Sequence, residues 1–267
     1  MAKTKVLIAV KTYPSLSSKY DELVCTAGFL EDGSWIRIYP IPFRKLDYDN
    51  QYKKYQWVEI DIEKNMGDFR PESHKLLSHD IKTLGFINTD NNWQERKKLV
   101  LNKVYDNMTD LINEAKDKNI CTSLAVFKPT KILDFIVEKT EREWDKKKLG
   151  EIMAKRNQLS LFGNENYKEI IDKLPYKFSY VFEDINGKQS TLIVEDWELG
   201  ALFWKYSNEN EAIEKVKGKY KKIAKENDVY LFLGTTKLNH YISRNPFVII
   251  GVFYPPKIKE NPQLSLF

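Results

Sequence analysis

The sequence predicts an α+β protein with a β-rich N-terminal module, central helices and a C-terminal α/β part whose strands are mixed or antiparallel. Two observations carry this prediction. Short apolar or alternating segments fill the first 62 residues, and apolar residues at helical spacing follow from residue 93 onward. The 267 residues, of which 42% are hydrophobic and 30% charged, suffice for one large domain or two small ones.

The N-terminal module is predicted to contain four strands. Residues 5–10 (KVLIAV) form an apolar run typical of a buried strand, and residues 22–30 (ELVCTAGFL) form a second. Residues 31–34 contain Asp-Gly, which indicates a hairpin turn into a third strand at residues 35–40. A fourth strand is predicted at residues 57–62 (WVEIDI), where alternation places acidic side chains on one face.

The middle of the chain is predicted to be mainly helical. Residues 93–118 carry apolar side chains at helical spacing and form one long helix or two shorter ones. A strand is predicted at residues 131–138, a charged helix at residues 141–158 and a short helix at residues 167–174.

The C-terminal part combines a hairpin, two helices and two buried strands. Asn186-Gly187 is a strong hairpin signal, and Asp196 is expected to cap the first helix. The predicted elements are strands at 177–183, 190–194, 229–233 and 247–253, and helices at 196–206 and 209–225. The whole chain divides into four predicted regions: a β-rich module (1–90), a mainly helical region (91–174), an α/β region (175–255) and a flexible tail (256–267).

Composition argues against several classes of protein. No run of 18 apolar residues predicts a membrane span, and residues 6–10 are too short for a signal-peptide core. The two cysteines form no CxxC pair, and the three histidines are scattered, so no structural zinc site is predicted. We expect a cytoplasmic protein without membrane partners. The net charge of +5 is compatible with nucleic-acid binding but does not identify it.

Cationic and aromatic side chains concentrate in the first 75 residues. Cations position phosphates, and the flat face of tyrosine can stack on a base. These residues therefore predict a surface that binds DNA, another nucleic acid or a nucleotide. The candidates are Lys11, Tyr13, Arg37, Tyr39, Arg44 and Arg70. The alternative is a solvated sheet face with ordinary cation–aromatic contacts.

Clustered carboxylates raise a second possibility, a metal-dependent nuclease. Such cleavage needs several carboxylates around Mg²⁺ or Mn²⁺. The candidate catalytic residues are Asp61, Asp68 and Glu72. Exposed strands often carry acidic residues, and no complete nuclease motif accompanies these, so an ordinary solvated face is the alternative.

One pentapeptide, QLSLF, occurs twice. One copy comprises Gln158, Leu159, Ser160, Leu161 and Phe162, and the other comprises Gln263, Leu264, Ser265, Leu266 and Phe267. By average residue usage, one such pentapeptide is expected in on the order of one in several thousand chains of this length. QLSLF resembles the short peptide with which bacterial replication and repair proteins dock on the DNA polymerase sliding clamp.

The resemblance covers ten residues and implies a partner, the bacterial sliding clamp. Burying Leu264, Leu266 and Phe267 in a groove contributes roughly 1.5–3 kcal/mol each before ordering costs. It implies a role in DNA replication or repair, or in a mobile-element or antiviral defence system. A clamp-recruited nuclease and a protein that only blocks clamp grooves are the alternatives. The C-terminal copy could also fold back on its own domain, and the internal copy could simply anchor a helix end.

Overall fold

The computed structural model describes residues 3–19, 21–160 and 169–258. Within them the chain forms fifteen strands and five α-helices, which confirms the predicted α+β class. The strands are β1 (Thr4–Lys11), β2 (Ser15–Ser17), β3 (Asp21–Phe29), β4 (Trp35–Ile41), β5 (Gln56–Ile60), β6 (Ile62–Lys64), β7 (Ser73–Leu76), β8 (Lys82–Phe86), β9 (Val104–Tyr105), β10 (Leu124–Phe127), β11 (Lys131–Lys139), β12 (Tyr176–Glu183), β13 (Gln189–Ile193), β14 (Tyr230–Thr235) and β15 (Phe247–Phe253). The helices are α1 (Asp90–Val100), α2 (Met108–Lys116), α3 (Lys146–Ser160), α4 (Trp197–Phe203) and α5 (Glu209–Glu226).

The N-terminal module is one curled sheet with the strand order β6-β7-β4-β3-β1-β5-β8, and β2 pairs with β3. Strand β1 lies near its centre and pairs antiparallel with both β3 and β5. Only Asp61 separates β5 from β6, although these strands lie toward opposite ends of the order. Two ends joined by one residue must lie close together, so the sheet curls almost into a barrel.

Two apolar cores cover the two faces of this sheet. Val6 and Ile8 of β1 face one core, inside the curl, together with Phe43 and Tyr52. A register shift between Ile8 and Val10 then turns Val10 toward the second core. This alternation explains why β1 is buried on both sides.

The C-terminal part consists of two smaller sheets with helices. One has the order β15-β14-β10-β9 and the other the order β11-β12-β13. They enclose the largest core together with α2, α4 and α5. In the described residues, no helix combines the length and apolar character needed to cross a lipid bilayer.

The second core of the N-terminal sheet is shared with the C-terminal part. Phe29 and Trp35 contribute from the N-terminal side, and Phe232 and Phe253 from the C-terminal side. Ring centroids of Trp35 and Phe232 are 5.6 Å apart in an edge-to-face arrangement. The two parts of the chain are therefore packed together through aromatic side chains.

The structure decides one open alternative and differs from two predicted elements. Residues 93–118 form the two shorter helices, which β9 separates, because Val104 and Tyr105 pair with β10 and Asn107 caps α2 through the Thr109 and Asp110 amides. The fourth predicted strand breaks at Asp61. No helix is present over residues 169–174, and residues 167–168 lie outside the described residues. There the Tyr13 hydroxyl donates to the Asp172 carbonyl, and the Glu22 carboxylate accepts from the Ile171 amide.

Candidate functional site

A cleft lies where the N-terminal sheet meets the C-terminal part. It encloses about 230 Å³. We call it the central cleft. Its lining comes from β2, β3, β4, β14 and β15, and from the chain just after β1, before β7, before α4 and after β14. The lining residues are Thr12, Tyr13, Ser15, Cys25, Arg37, Tyr39, Arg70, Glu195, Gly234, Thr235, Thr236, Lys237, Val248 and Ile250.

Backbone hydrogen bonds fix one wall of the central cleft. The Thr12 amide donates to the Cys25 carbonyl at 3.0 Å, and the Tyr13 amide donates to the Glu195 carbonyl at 3.0 Å. The Glu195 amide in turn donates to the Ile249 carbonyl at 2.8 Å. The chain after β1 thus joins β3 on one side to the segment before α4 on the other, and both contribute side chains to the cleft.

Tyr13 is held in one orientation. Its hydroxyl donates to the Asp172 carbonyl at 2.7 Å and accepts from the Trp204 indole at 2.8 Å. A Cβ built on Gly200 would lie 2.1 Å from Cδ2 of its ring, so the ring lies directly on the backbone of α4. Burial raises the pKa of the Tyr13 phenol, which keeps the hydroxyl neutral.

Arg37 is a fully buried cation in the wall of the cleft. Its Nη1 donates to the Thr235 carbonyl at 3.0 Å and its Nη2 to the Ser123 carbonyl at 2.9 Å. Its Nε finds no acceptor in the described part of the chain. No carboxylate of the described residues forms an ion pair with it, so Arg37 keeps a net positive charge beside the cleft.

Arg70 is also buried, but its charge is neutralised. The Asp68 carboxylate accepts from Nε at 2.9 Å and from Nη2 at 2.6 Å. Nη1 of Arg70 also donates to the Thr235 carbonyl, the group that Arg37 contacts. Asp68 therefore anchors Arg70, and the two guanidinium groups meet at the end of β14.

Glu195 and Tyr39 present unpartnered polar groups to the cleft. Within the described residues nothing hydrogen-bonds to the Glu195 carboxylate, and burial raises its pKa. The Tyr39 hydroxyl likewise lacks a hydrogen-bond partner among the described residues, and burial raises its pKa. Both side chains are half-buried. An acceptor and a hydroxyl left open in one cleft are therefore suited to a ligand.

The cleft is not equipped for nucleophilic catalysis by its cysteine. Burial raises the pKa of the Cys25 thiol, although the Arg37 charge opposes this. A thiol in this state is protonated and unreactive near neutral pH. The arrangement favours binding.

Four of the six residues predicted to contact nucleic acid lie together. Tyr13, Arg37, Tyr39 and Arg70 all line the central cleft. Lys11 does not, because β1 ends there and its side chain lines another pocket. Arg44 is also elsewhere: its Nη1 lies 2.9 Å from the Glu22 carboxylate in an ion pair.

The carboxylates predicted for catalysis do not assemble. Asp68 pairs with Arg70, and the Glu72 carboxylate accepts from the Ser123 amide and hydroxyl at 3.2 and 2.7 Å. Asp61 joins β5 to β6 and does not line the cleft. Across residues 3–19, 21–160 and 169–258, no three acidic, histidine or cysteine side chains are grouped to hold a metal ion.

The C-terminal QLSLF copy and the last two residues of the internal copy fall outside the described residues. Helix α3 continues through Ser160, so the first three residues of the internal copy are helical, and the Gln158 side chain is exposed. Leu161 and Phe162 lie outside the described residues, as do Gln263, Leu264, Ser265, Leu266 and Phe267. Their clamp-binding role stays a prediction.

Sequence reasoning did not single out Glu195, Thr235 or Lys237. Glu195 precedes the cap residue Asp196, and nothing in the letters distinguishes it from an exposed acid. Thr235 contributes through its carbonyl, which no side-chain pattern reveals. The Lys237 ammonium donates to the Gly67 carbonyl at 2.5 Å, and this hydrogen bond joins two segments that are far apart in sequence.

Comparisons with known proteins give family membership without an activity. Residues 2–102 match a family described as Domain of unknown function (DUF8758). No curated protein matches the chain. A solved structure of a murine DNA-binding protein bound to double-stranded DNA covers 98% of this chain and 99% of its own, at 10% identity and a TM-score of 0.31, a likeness too distant to support an argument. Residues 104–267, more than half of the chain, match a second model, and the protein therefore belongs to the family described as Domain of unknown function (DUF8757).

Proposed function

We propose that the protein binds nucleic acid or a nucleotide and that the central cleft receives one nucleobase. The observation that carries this proposal is the open Glu195 carboxylate, which shares a small cleft with the rings of Tyr13 and Tyr39. Carboxylates accept hydrogen bonds from base amino groups, and aromatic rings stack on bases. Arg37 adds a positive charge beside the same cleft, which favours an anionic ligand.

The size of the cleft supports a single base. At about 230 Å³ it is smaller than the roughly 300–1,000 Å³ of pockets that hold drug-sized ligands. A paired duplex base cannot enter such a space. A nucleic acid would therefore present an unpaired base from a single strand, or a base turned out of the duplex.

The test is binding by isothermal titration of single-stranded DNA and of the four nucleosides to the intact chain. We expect Glu195→Gln to weaken binding at least tenfold, because the amide replaces one acceptor oxygen with a donor. The matched control is Glu138→Gln, an exposed acid on β11. Equal affinities for the wild type and Glu195→Gln would contradict the role of the cleft.

We further propose that the QLSLF copies dock on the bacterial sliding clamp, which would make the protein part of DNA metabolism. The support is the occurrence of two identical pentapeptides in one chain. A clamp is an oligomeric ring with one groove per protomer, so two copies can engage two grooves and raise the effective concentration.

Surface plasmon resonance with purified clamp tests this second proposal. Deleting residues 263–267 is expected to weaken binding tenfold or more, about 1.4 kcal/mol. Ile258→Ala is the matched control, because Ile258 is an exposed apolar residue just before the tail. Unchanged affinity after the deletion would rule out the tail as the docking site. Replacing Leu161 and Phe162 with alanine tests the internal copy, and unfolding in place of weaker binding would identify that copy as structural.

A further inference from the structure

A second pocket lies at the end of β1, apart from the central cleft. It encloses about 370 Å³, and Lys11, Lys54, Trp93 and Trp197 are among its lining residues. We call it the lysine pocket. Lys11 faces it while the next two residues, Thr12 and Tyr13, face the central cleft. The two pockets are therefore separate sites.

The lysine pocket has an excess of positive charge. Four cationic side chains, Lys11, Lys53, Lys54 and Arg96, line it, and Glu198 is the acidic side chain among its lining residues. Lys54 is neutralised by Asp196, whose carboxylate lies 2.7 Å from Nζ. When Asp196 and Glu198 are counted against the four cations, two positive charges remain unbalanced. That charge suits a dianion.

The other three cations are free of carboxylate partners in the described part of the chain. Lys11 Nζ lies 4.3 Å from the ring centroid of Phe43 and 5.3 Å from that of Trp197, and it donates to a backbone carbonyl, that of Tyr52, at 3.3 Å. The Arg96 guanidinium lies 3.9 Å from the Tyr55 ring centroid. Aromatic rings attract these cations but leave N–H donors unused.

Burial makes the lysine pocket receptive to an anion. Burial, with Lys54 adding to the effect, lowers the pKa of Lys11 to about 8. A charged ammonium is thus held where water solvates it poorly. An anion that enters the pocket replaces the missing solvation, and its attraction to the ammonium is stronger than it would be in bulk water.

We propose that the lysine pocket binds a phosphate group, held by Lys11, Lys53 and Arg96. Lysine ammonium and arginine guanidinium groups are the usual phosphate ligands of proteins, and a phosphate dianion matches the two excess charges. The group can come from a small phosphorylated molecule, whose terminal phosphate is a dianion, or from a nucleic-acid backbone, where two adjacent phosphodiesters carry one negative charge each. Trp93 and Trp197 flank the pocket and offer apolar surface to whatever carries the phosphate.

The test is isothermal titration of inorganic pyrophosphate and of a single-stranded oligonucleotide at constant ionic strength. Lys11→Met keeps the apolar stem and removes the charge, and we expect it to weaken binding at least tenfold. The exposed Lys139→Met on β11 is the matched control and is expected to bind like the wild type. Lys53→Met, at an exposed position, provides a second variant should Lys11→Met fail to fold.

The outcomes separate the two sources of phosphate. If Lys11→Met loses binding to pyrophosphate alone, the ligand is a small phosphorylated molecule. If it loses binding to the oligonucleotide, the phosphate comes from the nucleic-acid backbone. Glu195→Gln is expected to leave pyrophosphate binding unchanged, so failure of the central cleft and failure of the lysine pocket are distinguishable. The proposal is overturned if the wild type binds neither probe more tightly than Lys11→Met or Lys53→Met does.

Discussion

Lys54 and Asp196 form a buried ion pair that joins the N-terminal module to the start of α4. The Lys54 Nζ lies 2.7 and 2.9 Å from the two carboxylate oxygens, and the side chains are 8% and 3% exposed. Asp196 also caps α4 by accepting from the Glu198 amide at 2.9 Å. Burial opposes ionisation of Lys54, but Asp196 and Glu198 outweigh it and raise its pKa. Burial also raises the pKa of Asp196, an effect that the Lys54 charge opposes.

Breaking this pair is predicted to destabilise the fold strongly. Lys54→Met leaves the Asp196 carboxylate buried without its counterion, and we expect a loss of about 3–5 kcal/mol in the free energy of unfolding. Denaturant titration measures the loss. The exposed pair Lys75–Glu63 is the matched control, where Lys75→Met should cost less than about 1 kcal/mol. Equal small losses at both sites would contradict a structural role for Lys54.

Gly200→Ala is predicted to disturb the central cleft. The new methyl group would overlap the Tyr13 ring, and overpacking of this kind costs about 1–3 kcal/mol. Because the ring must move, ligand binding in the cleft should weaken as well. Gly218→Ala in α5 is the control, since nothing lies within 4 Å of its added Cβ and alanine favours the helix by up to about 1 kcal/mol. A stabilising effect at both positions would be inconsistent with the Tyr13–Gly200 contact.

Tyr39→Phe is predicted to separate binding from stability. The Tyr39 hydroxyl has no hydrogen-bond partner among the described residues, so its removal should change the free energy of unfolding by less than about 0.5 kcal/mol. Ligand affinity should nevertheless fall. Tyr13→Phe loses two hydrogen bonds, to Asp172 and Trp204, and should cost about 1–3 kcal/mol. Affinity unchanged in Tyr39→Phe would remove Tyr39 from the binding surface.

The lowered pKa of Lys11 predicts that the free energy of unfolding depends on pH. Burial, reinforced by Lys54, lowers its pKa from 10.5 to about 8 in the folded protein. Below pH 8 both folded and unfolded states carry the proton, and the folded state bears the full cost of the buried charge. Between pH 8 and 10.5 the unfolded state binds more protons, so stability rises with pH by at most about 3 kcal/mol.

The comparison with Lys11→Met isolates this contribution. The variant lacks the titrating amine, so the difference in unfolding free energy between wild type and variant should shift in favour of the wild type as pH rises from 8 to 10.5. Chemical denaturation at several pH values gives this difference. Parallel pH profiles for the two proteins would show that Lys11 is not perturbed.

Local patterns predicted most elements, whereas long-range pairing decided the exceptions. Asp-Gly at 32–33 and Asn-Gly at 186–187 both form the expected turns, with Gly33 and Gly187 at positive φ. The break at Asp61 follows from closure of the curled sheet, which involves strands far apart in sequence. The helix expected at residues 167–174 is absent from its described part, because distant side chains such as Glu22 bind that backbone.

The central cleft was likewise only partly predictable, because local patterns place some of its residues and contacts between distant segments place the others. Arg37 and Tyr39 alternate along β4, so their shared face was visible in the sequence. Glu195 reaches the cleft because its backbone bonds to Tyr13 and Ile249, contacts that no local pattern encodes. Regular strand alternation would have placed Lys11 on the same face as Tyr13. The strand β1 ends at Lys11, however, and the two side chains line different pockets.

The core that contains Phe29 and Phe232 spans the junction between the two family matches, 2–102 and 104–267. Neither match can shield its own share of these rings from water. A gene split at residue 103 would therefore encode two polypeptides that are each incomplete until they meet. We therefore expect the two halves to fold together, and duplication, loss or exchange of one half without the other would expose this apolar surface to aggregation.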